Sequence, residues 1–448
     1  MTQPLETLTR SLLQAARAAG ADDADAIAVR AQSLSVDVRG GALEQAERAE
    51  STDIGLRVFV GRRSANVSAS DTAARTIDEM AARAVAMARE APEDPHSGIA
   101  DPDQLARDWD IDSLQLRDPA PEPAPAELEE DARRIEAAAQ AVDGVTQVQS
   151  ASAGYGAQEV HMAATNGFGG GYARTERGLS GVAIAGSGAG MERDYDGDSR
   201  TFQADLRTPE DIGTSAGERA LQRMGPRKPP TGSYPVLFDE RVSSTLIGHL
   251  LSAINGLAIA RGSSWLRDAM GEVVLPETLS LTEDPFRPRA RGSRAFDAEG
   301  LPTQRREIVS KGVLTGWTLD LAAARKLGMA PTGNAARGTS SGPQPSNWNV
   351  ALTQGTASRA ELIRDMGTGL LVTSMIGSTI NPNTGDYSRG AAGLWVENGE
   401  ITHAISECTI AGNLRDMLRG IVPANDARTH LSRVVPSLLV PGMTLAGA

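Results

Sequence analysis

Residues 381–401 read NPNTGDYSRGAAGLWVENGEI, and THAISECTIAGNLRDML follows through residue 418. The segments LWVE and EITHAI have the composition of strands, and the dipeptide Asn398-Gly399 between them suits a two-residue type I′ turn. The apolar run LLVTSMI over 370–376 predicts another strand just before this stretch. We therefore predict that this part of the chain is rich in β structure and contains a hairpin at 394–405.

The rest of the sequence changes between helical and strand periodicity. Near the N-terminus a strand pattern shifts by one residue between Ala31 and Leu34, and residues 145–206 predict a meander of four or more strands. Helices are predicted over 5–20, 72–89, 126–142, 208–225, 241–260 and 359–364. The predicted class is α+β, with an N-terminal helix–sheet–helix domain, a middle β-meander with flanking helices, and a large, mostly β C-terminal domain.

Two proline-rich stretches suggest where the domains meet. Residues 90–125 contain seven prolines that disfavour any long helix, namely Pro92, Pro95, Pro102, Pro119, Pro121, Pro123 and Pro125. A second boundary is indicated by the sequence RKPP at 227–230. We predict an N-terminal α/β domain at 1–95, a linker and middle domain at 96–228, and a C-terminal domain at 229–448.

Length, charge and cysteine content limit the possible classes of function. A chain of 448 residues with a formal net charge of −13 is long enough for several domains and does not favour a nucleic-acid surface. Cys408 is the single cysteine, which excludes an internal disulfide and a multi-thiolate zinc site. The sequence has neither a signal-peptide pattern nor an apolar run long enough for a membrane span. We expect a cytoplasmic protein that binds neither nucleic acid nor membrane.

The metal-binding and nucleophile patterns in this sequence are weak. His249 has no second ligand one turn away on its helix, so a surface or packed histidine is the simpler interpretation. His403 and Glu407 would stand about 13 Å apart on a regular strand, with Cys408 on the opposite face. The GTSSG sequence at 338–342 lacks a strand before it and a helix after it, which favours a polar loop over a nucleophile elbow. We therefore predict neither a catalytic residue nor a metal ligand.

Two glycine-rich segments are equally weak as phosphate cradles. They lie at 167–171 and 186–190, between predicted strands and without a helix N-terminus behind them. We interpret both as hairpin turns.

The polar segment 377–390 is the strongest candidate for a binding surface. Its amides, hydroxyls, carboxylate and guanidinium suit the capture of a peptide backbone or of a partner's edge strand. The candidate contact residues are Asn381, Thr384, Asp386, Tyr387 and Arg389, together with Asn413 farther along the chain. The alternative is a long turn that bonds mainly to itself, in which Asp386 and Arg389 pair with each other.

Long motifs of this sequence resemble those of the TldD/PmbA peptidase family, TldE/PmbA branch. The resemblance is carried by 381–401 and 407–418, and it extends over nearly the whole chain. The other matching segments are GLRVFVGRRSANVSASD, GHLLSAINGLAIARGSSWL, FDAEGLPTQRREIVSKGVLTGWTLD and ARKLGMAPTGNAAR. The resemblance implies a three-part chain and cytoplasmic proteolysis.

The resemblance also implies a division of labour between two chains. The TldD type carries His-Glu-x-x-x-His on a helix, with a cysteine completing its zinc site, whereas both ligand positions of the corresponding helix here hold other residues. Cys408 lies one residue from the family's cysteine position, so we expect it to face away from such a site. We expect no cofactor in this chain and zinc in a TldD-like partner.

The resulting hypothesis is a non-catalytic subunit of a heteromeric metalloprotease that degrades or processes unfolded peptides. The chain would complete the chamber and support its zinc-bearing partner, and it would be inactive alone. One alternative is a non-enzymatic, protein-binding modulator of DNA gyrase that acts as a homodimer. Another is an enzyme that works alone through an unrecognised metal site.

Overall fold

The computed structural model describes residues 3–447, except for the side chains of residues 378 and 379. Its mixed α+β fold confirms the predicted class. No helix within the described range combines the length and apolar character that crossing a membrane requires. The helices are α1 Leu5–Ala18, α2 Ala74–Glu90, α3 Pro125–Gln140, α4 Pro209–Gln222, α5 Glu240–Ala253, α6 Gly256–Ala260, α7 Leu321–Leu327, α8 Arg359–Met366 and α9 Leu414–Arg419.

A six-stranded antiparallel sheet, the long sheet, joins the first two regions of the chain. Its order is β3-β2-β1-β4-β5-β6, so β1 pairs with β2 on one side and with β4 on the other. The predicted domain limits at 95 and 228 stay a prediction. The strands are β1 Asp23–Arg39, β2 Ala42–Val60, β3 Arg63–Ala69, β4 Val145–Ala164, β5 Gly169–Ala185 and β6 Glu192–Arg200.

Two details of the long sheet correct the sequence predictions. The described part of 145–206 contains three strands rather than four or more, because β4 continues through Gly154 and Gly156 with a partner strand on each side. The pattern shift between Ala31 and Leu34 is not a slip, since the register of β1 is continuous there with both neighbours. The apolar run that ends at Ala31 and the run that begins at Leu34 instead lie on opposite faces of β1. Both faces of β1 are buried near the start of the strand.

Helices cover one face of the long sheet. α1 and α2 pack over the first part of β1 and its neighbours, where Leu8 and Leu12 are fully buried. α3 and α4 pack farther along the same face. The buried carboxylate of Glu136 on α3 accepts backbone N–H bonds from Gly40 at 2.5 Å and Gly41 at 2.8 Å, which fastens the β1–β2 turn to the helix.

The C-terminal region contains a ring of strands and a smaller sheet. β14, β15, β16, β19 and β7 pair in turn, and β7 pairs back with β14, so the ring is closed. Asn398 and Gly399 have φ of +53° and +78° in the predicted hairpin turn, which is confirmed. The strands are β7 Gly232–Phe238, β8 Leu281–Glu283, β9 Arg306–Ser310, β10 Val313–Leu314, β11 Ala335–Ala336, β12 Gln344–Pro345, β13 Val350–Leu352, β14 Gly369–Ile380, β15 Asp386–Glu397, β16 Glu400–Asn413, β17 Val422–Pro423, β18 Arg433–Val434 and β19 Leu438–Gly447.

The helix predicted over 241–260 is two helices. α5 ends at Ala253, and α6 begins at Gly256 after a turn in which the Asn255 side chain accepts the Leu257 N–H at 3.0 Å. Gly256 lies against Leu319 and Thr318, where a Cβ atom would come within 3 Å of both residues. The chain therefore bends at a capped, closely packed position that helical periodicity alone does not reveal.

A buried ion cluster joins the long sheet to the C-terminal region. Asp25 on β1 accepts from Arg57 on β2 at 2.8 and 2.5 Å and also from Arg337, which precedes the GTSSG loop. The Arg337 side chain is only 2% exposed. The loop itself rests on β2, because a Cβ atom at Gly55 would lie 2.1 Å from the Thr339 carbonyl oxygen. The predicted polar loop is thus confirmed, and it docks one region onto another.

Carboxyl groups outnumber the guanidinium groups at this cluster. The Glu299 Oε1 atom lies 3.9 Å from the Arg57 Nη2 atom. The carboxyl groups of Asp297 and Asp320 lie close enough to Glu299 to influence its charge. Asp297 accepts three backbone N–H bonds, whereas Glu299 accepts one, from Leu321 at 2.8 Å. Burial raises the pKa of Glu299 to about 8, with Asp297 and Asp320 adding to the effect and Arg57 opposing it. Glu299 is therefore the carboxyl group that retains a proton near neutral pH.

We predict that Asp25→Asn destabilises the protein by about 3–5 kcal/mol, because it leaves two buried guanidinium groups with one fewer counter-charge. Urea unfolding followed by circular dichroism measures the change. Glu79→Gln, which removes an exposed i,i+4 ion pair with Arg75, is the control and should have little effect. Equal stability of the two variants would contradict the role of Asp25.

We predict that Glu299→Gln flattens the fall in stability between about pH 4.5 and 8. In this window the folded state holds a proton that the unfolded chain releases, so wild-type stability falls by up to about 1.4 kcal/mol per pH unit as pH rises. Urea unfolding at several pH values tests this. The exposed Glu307, changed to Gln, serves as the control. An unchanged slope in Glu299→Gln would show that this carboxyl group does not carry the effect.

Candidate functional site

The loop between β14 and β15 is shaped by hydrogen bonds from its own polar side chains. The Asn381 side-chain oxygen accepts the backbone N–H groups of Asn383 and Thr384 at 3.0 and 3.4 Å. Thr384 donates its hydroxyl to Asp386 at 2.7 Å, and Gly385 has φ of +81°. These bonds agree with the alternative of a turn that bonds mainly to itself. They also leave Asn381, Thr384 and Asp386 exposed at the tip.

Asn413 ties this loop to α9. Its side-chain N–H groups donate to the Thr384 carbonyl and to Asp386, each at 3.1 Å, and its oxygen accepts the Arg415 N–H at the start of the helix. The bonds from Thr384 and Asn413 lower the pKa of Asp386. The structure thus brings together four of the residues singled out from sequence: Asn381, Thr384, Asp386 and Asn413.

Tyr387 and Arg389 follow this loop on β15, and the surroundings of their two side chains differ. Tyr387 is 2% exposed, so any influence on a partner would be indirect, and its hydroxyl points to the Met375 sulfur at 3.5 Å. Arg389 donates from Nε to the Gly377 carbonyl at 2.8 Å. Within the described residues Arg389 makes no ion pair with Asp386, so the suggested pairing of these two side chains is not formed.

His249 on α5 reaches the same region from the opposite side. Its ring stands edge-on to Tyr387, with centroids 5.9 Å apart. Its Nε2 atom is buried and has no hydrogen-bond partner among the described residues. Burial, reinforced by the charge of Arg389, lowers the pKa of His249 to about 4, so the imidazole is neutral at physiological pH. The packed interpretation of His249 is therefore the one that the structure supports.

Cys408 is held as a protonated thiol. A bulge at Glu407, which has φ of +53°, changes the strand phase so that Ile405 and Cys408 both enter the main C-terminal core. The thiol donates to the Ala391 carbonyl at 3.2 Å, and burial raises its pKa to about 11. Glu407 is exposed, and His403 contacts Thr402. The bulge therefore does not bring these three potential ligands together.

The donor atoms of this region do not fit a zinc site. Across residues 3–447, no group of three or more His, Cys, Asp or Glu side chains is arranged to hold a metal ion. A protonated thiol that donates to a carbonyl is not in the state that binds zinc, since the thiolate is the ligand. His249 alone offers a free, neutral ring nitrogen, and one ligand does not make a site.

Sequence reasoning missed the contact among His249, Tyr387 and Arg389. These residues lie on α5 and β15, far apart in the chain, and no periodic pattern links them. The glycine-rich segment 186–190 is the connection between β5 and β6, as predicted. The segment 167–171 is only partly a turn, because residues 169–171 already belong to β5. The six residues named from sequence as contact candidates stay a prediction, because their geometry alone does not test binding.

Comparison with known proteins accounts for almost the whole chain. Residues 24–88, 118–224 and 231–447 match domain 1, the central domain and the C-terminal domain of the PmbA/TldA metallopeptidases. The protein named Metalloprotease PmbA from Escherichia coli O157:H7 is 38% identical over 434 residues, covering 96% of this chain and 94% of that protein.

Solved structures share the complete fold. A candidate modulator of DNA gyrase from Bacteroides thetaiotaomicron superposes with a TM-score of 0.91 at 27% identity, covering 99% of both chains. TldE from Thermococcus kodakarensis superposes with a TM-score of 0.85 at 20% identity, covering 98% of this chain and 100% of that one. At that identity the second similarity concerns the fold alone.

We predict that His249 titrates near pH 4 in the folded protein, well below the ordinary value of 6.5. Replacing Arg389 with Gln should raise this midpoint, because it removes a positive charge that disfavours the imidazolium ion. Nuclear magnetic resonance of the histidine ring measures both values. Arg364→Gln, on the exposed side of α8, should leave the midpoint unchanged. A midpoint near 6.5 in the folded wild type would contradict the buried, neutral assignment.

Proposed function

This chain belongs to the PmbA/TldD metallopeptidase family, and we propose that it is the zinc-free subunit of a heteromeric metalloprotease. In this proposal it represents the TldE branch and acts in the cytoplasm on unfolded peptides. The zinc-bearing partner is a TldD-like chain. Zinc there would polarise the peptide carbonyl and activate water, and this chain would complete the chamber around the peptide.

The state of the two potential ligands carries the proposal. The α5 sequence contains no His-Glu-x-x-x-His motif, and its single histidine, His249, packs against Tyr387. On β16 the Cys408 thiol is buried, protonated and bonded to the Ala391 carbonyl. A chain with the family fold but with these donors is better suited to support a catalytic chain than to bind catalytic zinc itself.

The β14–β15 loop is the proposed contact surface. Asn381, Thr384 and Asp386 are exposed at its tip, and Asn413 fixes the loop to α9, so the surface is ordered before any partner arrives. Ile376 lies at the same end of this hairpin and is 77% exposed, which is unusual for a large apolar side chain. A rigid polar loop beside an exposed isoleucine has the composition of an interface with a protein partner.

An unfolded peptide would bind through its main chain. The first part of β2, residues 42–51, pairs with β1 on one side, whereas β3 pairs only with residues 54–60. The free edge of β2 therefore offers backbone donors and acceptors for β-addition of an extended peptide. Such binding would rely mainly on main-chain hydrogen bonds and would leave side-chain preference to other contacts.

A second candidate function is a non-enzymatic modulator of DNA gyrase that acts as a homodimer. The solved Bacteroides thetaiotaomicron structure, which matches over 99% of this chain, is described as a candidate modulator of DNA gyrase, and this similarity is what favours the alternative. The two candidates predict different partners for the protein in its own cell.

Affinity purification of the tagged chain from its native cell separates the two candidates. The proposal predicts recovery of a chain with His-Glu-x-x-x-His in equal amount, measured by quantitative mass spectrometry. Joint replacement of Asp386 and Arg389 by Ala should weaken this association by about tenfold, because it removes the bonds that shape the loop. The matched control is joint replacement of Arg364 and Asp365 by Ala on α8, whose residues are also exposed. Recovery of only the tagged chain itself would contradict the proposal and favour the homodimeric modulator.

A further inference from the structure

A cavity of about 550 Å³ lies between the long sheet and the C-terminal region. Its floor is formed by β1, β4 and β5, where Ala31, Gly156 and Ala157 leave space above the strands. Its other walls come from Leu116, from residues 199–201, from Ser244 on α5, from residues 289–291 and from residues 430–433. The cavity is separate from the β14–β15 loop, and neither the fold nor the proposed zinc-free role requires it.

Arginine dominates the charged residues of this cavity. Glu176 is the one carboxylate in the lining, within a chain whose net charge is −13. The lining arginines are Arg174, Arg200, Arg289, Arg291 and Arg433. Positive charge is therefore concentrated at this cavity, whereas the protein as a whole carries a net negative charge.

Ion pairs neutralise only three of these arginines. Arg200 pairs with Asp198 at 2.9 Å, Arg289 with Asp205 at 3.0 Å, and Arg291 with Glu176 at 3.3 Å. Within the described residues Arg174 and Arg433 have no carboxylate oxygen within 4 Å. Five guanidinium groups against three carboxylates leave a surplus of two positive charges around the cavity.

Arg174 is fixed in place without a counter-ion. Its guanidinium lies over the Tyr172 ring at 4.8 Å and donates to the carbonyls of Arg291 and Ser293. Burial and the nearby charge of Arg291 lower the pKa of Arg174. A guanidinium has five N–H donors, so donors remain after these two bonds. A partly buried cation of this kind is costly unless an anion approaches it.

Arg433 stands on the opposite wall, beside α5. Its Nη1 atom lies 3.1 Å from the position that a Cβ atom of Gly248 would occupy, so the absence of a side chain at Gly248 makes room for the guanidinium. Arg291 has an exposed side chain, at 80%, and is free to move toward a ligand. The cavity thus combines a fixed Arg174 with Arg291 and Arg433, both of which are exposed.

From this arrangement we propose that the cavity binds a carboxylate of an extended peptide, so that the protease prefers substrates with an acidic residue. The inference rests on the proposed function, in which the protease acts on unfolded peptides, and it adds the class of peptide that is preferred. Arginine is suited to this task because its planar fork matches the two oxygens of a carboxylate.

The shape of the cavity favours a peptide over a small anion. A second cavity of about 390 Å³ continues from it and shares Gln32, Gln158, Arg174 and Thr175 in its lining. In the second cavity the carboxylates of Asp118, Glu122 and Glu159 balance the positive charge of the lining arginines. The surplus of positive charge is therefore confined to the first cavity. A free phosphate ion would leave most of this space empty, whereas an extended chain with one acidic side chain at the arginines fits it.

Peptide binding to the purified full-length chain tests the inference. The probes are a fluorescent Gly/Ser peptide that carries one central Glu and the same peptide with Gln in its place, followed by fluorescence anisotropy. Binding of the Glu peptide should be at least about tenfold tighter than that of the Gln peptide, with the difference shrinking as salt is added. Joint replacement of Arg291 and Arg433 by Gln should remove the difference. Joint replacement of Arg267 and Arg364 by Gln, which are exposed and lie outside the cavity, should preserve it.

Glu176→Gln provides a test of opposite sign. This change removes the carboxylate that pairs with Arg291, so Arg291 becomes available to the peptide and the Glu peptide should bind more tightly. Damage to the fold would weaken binding and would not produce this effect. Equal binding of the Glu and Gln peptides would overturn the inference, and so would displacement of the Glu peptide by inorganic phosphate at an equal concentration. These results leave the proposed function standing, because the partner is identified by purification from the cell and not by peptide preference.

Discussion

The position of Asp25 between Arg57 and Arg337 is the constraint on which the rest of the structure depends. A buried carboxylate shared by two guanidinium groups tolerates little displacement, because moving one partner leaves a charge unpaired where little of it is exposed to solvent. It fixes the long sheet, which carries the first two regions, onto the C-terminal region. The close approach of Gly55 to Thr339 reinforces the same contact. The cavity lined by arginines exists because these two parts are held face to face.

Sequence reasoning succeeded where a local rule decides the structure. Asn398-Gly399 made the hairpin turn predictable, and helical start and stop signals made α1, α2, α3 and α4 predictable. It failed where tertiary contacts decide. The neighbours of β4 keep its glycines in a strand, and burial on both faces hid the regular alternation of β1. The break between α5 and α6 depends on the approach of Thr318 and Leu319, which no local pattern encodes.

The candidate site was only partly accessible from sequence for the same reason. The polar segment 377–390 stands out by composition. In the structure its ends belong to β14 and β15, and bonds among its side chains and Asn413 give the short loop between these strands a fixed geometry. The cavity brings together Arg174 on β5, Arg200 on β6 and three arginines of the C-terminal region, namely Arg289, Arg291 and Arg433. In the sequence each of them looks like an ordinary surface arginine. In the proposed role, the chain contacts a partner at the loop and a peptide at the cavity, and the zinc chemistry belongs to the partner.

Zinc binding by the purified chain tests this account most directly. The chain is incubated with excess zinc, freed of unbound metal, and analysed for metal content by mass spectrometry, in parallel with Cys408→Ser and His249→Gln. The account predicts no stoichiometric zinc in the wild type and no change in either variant, since the Cys408 thiol is protonated and His249 has no second ligand beside it. One zinc ion per chain that is lost in either variant would contradict it and would favour the alternative of an enzyme that works alone.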